Sequence, residues 1–167
     1  MSNTSSSKPS TQGSANLHQL LDDASYLEDE LEALKFVIES VPYREKPVGE
    51  YSILELIALI DYAQEHIYRP LFELAAQNKQ LRLQEDPEFT FKQDKVTSVN
   101  KFLDSIIGHR VSLMKTVDKI HSEEWKEPVV GRDITLLDLL DNMIDNEREQ
   151  LRKVAERVMT MDDENGP

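Results

Sequence analysis

The stretch SILELIALIDYAQEHIYR, residues 52–69, decides how the rest of the chain is read. From Ile53 to Ala63 it is apolar except at Glu55, Asp61 and the weakly polar Tyr62. Ile53, Leu56, Ile60, Ala63 and Ile67 recur at spacings of three and four, and Leu71 and Leu74 continue the stripe, which is one face of an α-helix. Ser52 and Glu55 have the spacing of a capping box. The hydroxyl takes an unpaired amide hydrogen of the first turn, and the carboxylate reaches back to the amide of Ser52. Pro70 must kink or interrupt the helix, because its ring removes a hydrogen bond and crowds the preceding turn. Asp61 stands among branched aliphatics, so it is turned to water, paired, or left over from a site.

Three further stripes flank this one. Leu17, Leu20, Ala24, Leu27, Leu31, Leu34, Ile38 and Val41 alternate strictly between spacings of three and four and end at Pro42, the pattern of a bundle seam. Val99, Leu103, Ile106, Arg110, Leu113, Val117 and Ile120 predict a third helix from about Asp94 to His121. Leu137, Leu140, Ile144, Glu147, Leu151, Val154 and Val158 predict a fourth, capped by Thr135 with Asp138 three residues on. Four amphipathic segments of about 25 residues match at about 37 Å and predict an all-α four-helix bundle. The polar run of residues 78–93 makes a long connection between the second and third helices. The expected organisation is a tail over 1–15, a bundle over 16–160 and a short tail over 161–167, since the Ser/Thr/Asn-rich start and the MDDENGP end have nothing to bury.

Composition narrows the function classes. A net charge of −13 disfavours nucleic acid and anionic membrane as partners. The chain has no cysteine, which removes disulfides, thiolate catalysis and Cys-based zinc sites. No apolar run is long enough to span a bilayer and no signal-type apolar segment opens the chain, so the expected setting is the cytoplasm of a bacterium. There is no Gly-rich phosphate loop, no nucleophile elbow and no Glu-x-x-His, so phosphate-loop chemistry, serine-hydrolase chemistry and a ferritin-like di-iron site have no motif to rest on. Among the four histidines, His66 falls on the outer face with Leu59, Tyr62 and Arg69.

Two stripes are broken once each near their middles, by Arg110 and by Glu147, charges of opposite sign. Helices aligned side by side would bring them to one central layer, with Asp61 about one turn from the middle of its own helix. A buried charge without a partner is expensive. Arg110 is therefore expected to pair with Glu147, Asp61 or both. Such a layer fixes helix register, and it is also where ligand and metal sites of bundles form.

PVGEYSILELIALIDYAQ, residues 47–64, resembles the signature of the DinB/YfiT-like helical bundles, with Pro47, Gly49, Ser52, Glu55 and Asp61 in place and Tyr51 where that family has Trp. ITLLDLLDNMIDNEREQL, residues 134–151, is similar to the family's last helix. The resemblance implies a bundle whose second and third helices are joined by a crossover, a homodimer, and a metal held by three histidines beside Asp61. In this register the histidine positions carry Ala58, Asn146 and Gln150. A methyl group and two amides cannot replace three imidazoles at zinc or nickel. The resemblance thus implies a vestigial pocket of Ala58, Asp61, Asn146 and Gln150 that holds ordered water or a small polar ligand, with no metal and no cofactor. Three functions compete: a non-catalytic binding or interaction module; a metal-dependent hydrolase or thiol transferase using Asp61, Glu147 and a histidine such as His109; and a small-molecule-binding stress protein.

Overall fold

A computed structural model describes residues 10–83 and 98–164. Among the described residues there are five α-helices: α1 (Ser10–Ile38), α2 (Ile53–Ala63), α3 (Arg69–Ala76), α4 (Val99–Val117) and α5 (Leu136–Glu164). A π-helical turn, Gln64–Tyr68, joins α2 to α3, so residues 53–76 form one rod. Four rods pack together, and no strand occurs among the described residues. α1 and α5 both extend into stretches expected from composition to be tails. Residues 1–9, 84–97 and 165–167 lie outside the described residues, including the expected start of the third helix at Asp94.

The core shows how the rods run. One cluster gathers Leu27 to Val41 of the first segment, Ile53 to Ile60 of α2, Val99 to Ile106 of α4, and Val154 and Val158 of α5. The other gathers Ala24, Tyr68 to Ala75, Leu113 to Ile120, and Leu136 to Ile144. Between these two ends α1 and α5 therefore run one way, and the α2–α3 rod and α4 run the other. α1 packs on α4 and α5, and the α2–α3 rod packs on α4 and α5 as well. α3 therefore ends, and α4 begins, at opposite ends of the bundle, and residues 84–97 between them lie outside the described residues.

The caps follow the sequence. Glu55 N–H donates to Ser52 Oγ at 3.0 Å and Ser52 N–H to Glu55 Oε1 at 3.2 Å. Asp138 N–H donates to Thr135 Oγ1 at 3.2 Å, and Thr135 N–H returns to Asp138 Oδ2 at 2.9 Å. α4 begins at Val99, with Lys101 N–H on Ser98 Oγ, and ends at Val117 rather than His121. α1 ends at Ile38, before Pro42, in a turn that still buries Val41. Trp125 lies in a short 3-10 turn after α4, buried, with its ring 6.0 Å from that of Phe72.

One expected face is displaced. The stripe of residues 53–60 is buried as its periodicity predicts, but Ala63, Ile67 and Leu74 are only half-buried, and the interior positions are Gln64, Tyr68, Leu71 and Ala75. Three of the expected positions have moved on by one. A π-turn holds one residue more than an α-turn, and Arg69 N–H reaches back five residues to Gln64 O. Pro70 accounts for its place: the wider turn relieves the clash between its ring and the backbone one turn earlier. Deleting the exposed Glu65 together with Pro70→Ala should therefore let the rod close as continuous α-helix with Tyr68, Leu71 and Ala75 still facing inward. We expect a cooperative thermal transition by circular dichroism for this variant. Deletion of Glu149 from α5, where no extra residue exists to absorb it, should abolish that transition.

Candidate functional site: a buried ion pair and a flanking acid–histidine pair

Between the two apolar clusters lies a polar layer contributed by all four rods. Arg110 of α4 is 1% exposed and Glu147 of α5 is 5% exposed. Arg110 Nη2 donates to Glu147 Oε1 at 2.6 Å and to Oε2 at 2.5 Å. Arg110 Nη1 donates to the carbonyl oxygen of Ala24 in α1 at 2.9 Å. Gln64, at the start of the π-turn, donates through Nε2 to Glu147 Oε2 at 2.5 Å. Burial pushes the Glu147 carboxyl above its ordinary value, and Arg110 and Gln64 pull in the opposite direction. The cavity beside Glu147 measures about 10 Å³, room for one water.

Arg110 and Glu147 thus meet in the centre, but Asp61 does not join them. This corrects the expected three-member layer. Asp61 precedes Gln64 by three residues, which turns its side chain about 60° around the helix, toward the outer flank of α4. There Ser105 Oγ donates to Asp61 Oδ1 at 2.6 Å, and His109 Nε2 lies 3.5 Å from the same oxygen. Burial raises the Asp61 carboxyl above its ordinary value, and Ser105 and His109 offset part of that. Gln64, the fourth member of the centre, was not singled out from sequence. Its signal was its position: Gln64 lies four residues after Ile60 and seven after Ile57, and its N–H bonds Ile60 O as in an α-helix, so it shares their buried face ahead of the π-turn.

Of the positions of the expected vestigial pocket, Ala58 is buried, and Asp61 is committed to α4. Asn146 is exposed and hydrogen-bonds the phenol of Tyr68, whose pKa burial raises. Gln150 is half-buried, with its Oε1 shielded from solvent and without a hydrogen-bond partner.

The flank presents one set of metal-type ligands. One ligand atom each of Asp61, Glu65 and His109 lie within 4.8 Å of one another. The chemistry of the set opposes an ion, because Arg69 Nη1 is 3.0 Å from His109 Nδ1. A guanidinium only donates, so Nδ1 must accept, and the ring carries its proton on Nε2, facing Asp61. A metal-bound imidazole normally donates its second N–H to a carbonyl or carboxylate. Here the ring would have to give one lone pair to the metal and the other to Arg69, losing its proton altogether. The arrangement instead holds a proton between His109 and Asp61 and fastens α2 to α4. Arg69 is held in turn by Glu73 at 2.9 Å. Among the described residues Glu147 is not part of this group, so the expected combination of Asp61, Glu147 and His109 is not formed.

Comparison of the chain with family models, with curated proteins and with solved structures found no match. No helix among the described residues is long and apolar enough to cross a membrane.

Arg110→Ala should leave Glu147 buried without its cation and cost about 3–5 kcal/mol in urea unfolding. The double replacement Arg110→Met with Glu147→Leu should recover most of that loss, since an apolar pair of similar volume is often neutral or better. For Asp61 the sign is the reverse of an ordinary surface carboxylate. Its folded pKa lies above the ordinary 3.8, so just above that pH the folded chain holds a proton that the unfolded chain has lost. The stability of the wild type relative to Asp61→Asn should fall as pH rises through that window. A difference that rises or stays flat in urea unfolding would remove the burial of Asp61 as the cause.

Proposed function

We propose that the protein is a non-catalytic helical bundle of DinB/YfiT-like type that has lost the metal site of such bundles and acts as a binding or interaction module, as a homodimer. The observation that carries this reading is the state of Glu147. It is a deeply buried carboxylate at the centre of the bundle, and both of its oxygens are occupied by Arg110 and one also by Gln64. A guanidinium holds the place where a cation would otherwise sit, and the space beside it is that of one water. The rod directions, with the second and third rods parallel, support the resemblance. Ala58, Asn146 and Gln150 at the inherited ligand positions offer no nitrogen donor to zinc or nickel. The homodimer rests on the resemblance and on exposed Tyr26, Phe36 and Val37 of α1, apolar side chains a partner would cover.

A second reading keeps metal-dependent hydrolysis or thiol transfer, and the proximity of Asp61, Glu65 and His109 favours it. It requires Arg69 to leave His109 before an ion can bind. Native mass spectrometry of the full chain, purified without chelator, separates the two. We expect a metal-free ion at twice the 19.2 kDa chain mass. Stoichiometric zinc, nickel or iron that is lost in His109→Ala would establish the second reading instead. A metal-free ion at the single-chain mass alone would remove the homodimer and keep the rest.

A further inference from the structure

We propose that the end of the bundle remote from the α2 N-terminus carries a binding site for a small anion with an apolar body, such as a short aliphatic carboxylate. A cavity of about 470 Å³ opens there between the π-turn, the loop before α5 and the first turns of α5, within the range that holds small ligands. Its body is apolar, with Ile67, Leu83, Ile134 and Leu139 among the lining residues. Its polar groups are few, as ligand orientation requires: Arg132, His66 and Asn142 are among them.

The charge pattern points to the sign of the ligand. The chain has 32 acidic residues against 19 basic ones, yet none of the described residues lining this cavity is a carboxylate. Among the described residues, the guanidinium of Arg132 has neither an ion pair nor a hydrogen bond with another side chain, so its donors are free for an anion. The wider cleft of about 510 Å³ beside Gly49 and Thr160 differs on both counts. It is lined by Glu50 and Glu156, its Arg152 is held by Glu149 and Glu156, and its Arg157 is held by the carbonyls of Tyr51 and Glu45.

The wall bearing Arg132 is built in advance. Val129 N–H donates to Ile134 O at 2.9 Å, Arg132 N–H to Val129 O at 3.0 Å, and Leu136 N–H to Glu127 O at 3.0 Å. Val130 N–H donates to Leu81 O at 2.8 Å and fastens this loop to the start of the long connection. Gly131 turns the corner at φ +81°, a conformation other residues rarely adopt, and so sets the direction of Arg132. A preformed turn lowers the ordering cost of binding.

The inference rests on the binding-module reading and gives it a site and a ligand class. Its failure would leave the metal-free centre untouched, because mass spectrometry tests that separately. Octanoate, titrated at millimolar concentration into the full chain, should shift the amide resonances of residues 66–68, 129–134 and 139–142. Octylammonium, with the same chain and the opposite charge, should not. Arg132→Glu, on an exposed turn whose side chain makes no bond that folding needs, should weaken octanoate by about tenfold or more while leaving the circular dichroism unchanged. Absence of octanoate shifts at these residues, equal binding of octylammonium, or undiminished binding by Arg132→Glu would each overturn the proposal.

Discussion

The contact on which the rest of this bundle depends is the buried ion pair of Arg110 and Glu147, in which Nη2 donates to both carboxylate oxygens. Four rods with apolar stripes can slide and rotate against one another at little cost, because leucine and isoleucine accept many neighbours. A buried guanidinium cannot. Arg110 must find Glu147 on α5 and the carbonyl of Ala24 on α1, and Glu147 must also find Gln64 on the α2–α3 rod. One translation and one rotation of each rod satisfy all of these together. The layer adds little net stability, since desolvating two charges costs about what their attraction returns. Its contribution is to make other registers worse, by leaving a charge buried alone. The division of the core into two apolar clusters, one on each side of it, follows.

That requirement clarifies the π-turn. Gln64 keeps the helical phase of α2, four residues after Ile60, and the turn that begins at it shifts only the positions beyond. The turn therefore does two things at once. It absorbs Pro70, and it brings Tyr68 and Ala75 inward while Gln64 stays on Glu147. The stripe of α4 is legible in the sequence position by position, including its one charged member, because nothing in that helix disturbs the period of 3.6. The stripe of residues 53–76 is legible only as far as Ile60. Through the π-turn periodicity alone carries the wrong phase, and the correction is local backbone chemistry that hydrophobic spacing does not encode. The direction of each rod was equally hidden, since amphipathic stripes read the same in either direction. Only the length of the polar run after residue 77 hinted at a return along the bundle.

An aspartate among aliphatics is thus neither turned to water nor part of the central layer. It is paired on the flank, with a serine and a histidine from the neighbouring rod. Sequence spacing could place Asp61, Ser105 and His109 on their faces, yet which rods adjoin was not legible, and so neither was the pairing. The identity of the atom that faces His109 Nδ1 matters more than the presence of three ligands nearby. A carboxylate there would prepare the ring for a metal, and the guanidinium of Arg69 does the reverse.

These features together move the functional question away from the middle of the bundle. The centre is filled by its own ion pair, with space beside it for one water, and Arg110 Nε and Gln64 Oε1 there have no hydrogen-bond partner. The flank holds a proton but is fastened on both sides. Among the described residues an apolar cavity lies at one end, between the π-turn, the loop before α5 and the first turns of α5, with Arg132 at its edge. The central ion pair fixes the register of the rods, and the cavity proposed to take a ligand lies among loops that this register holds in place.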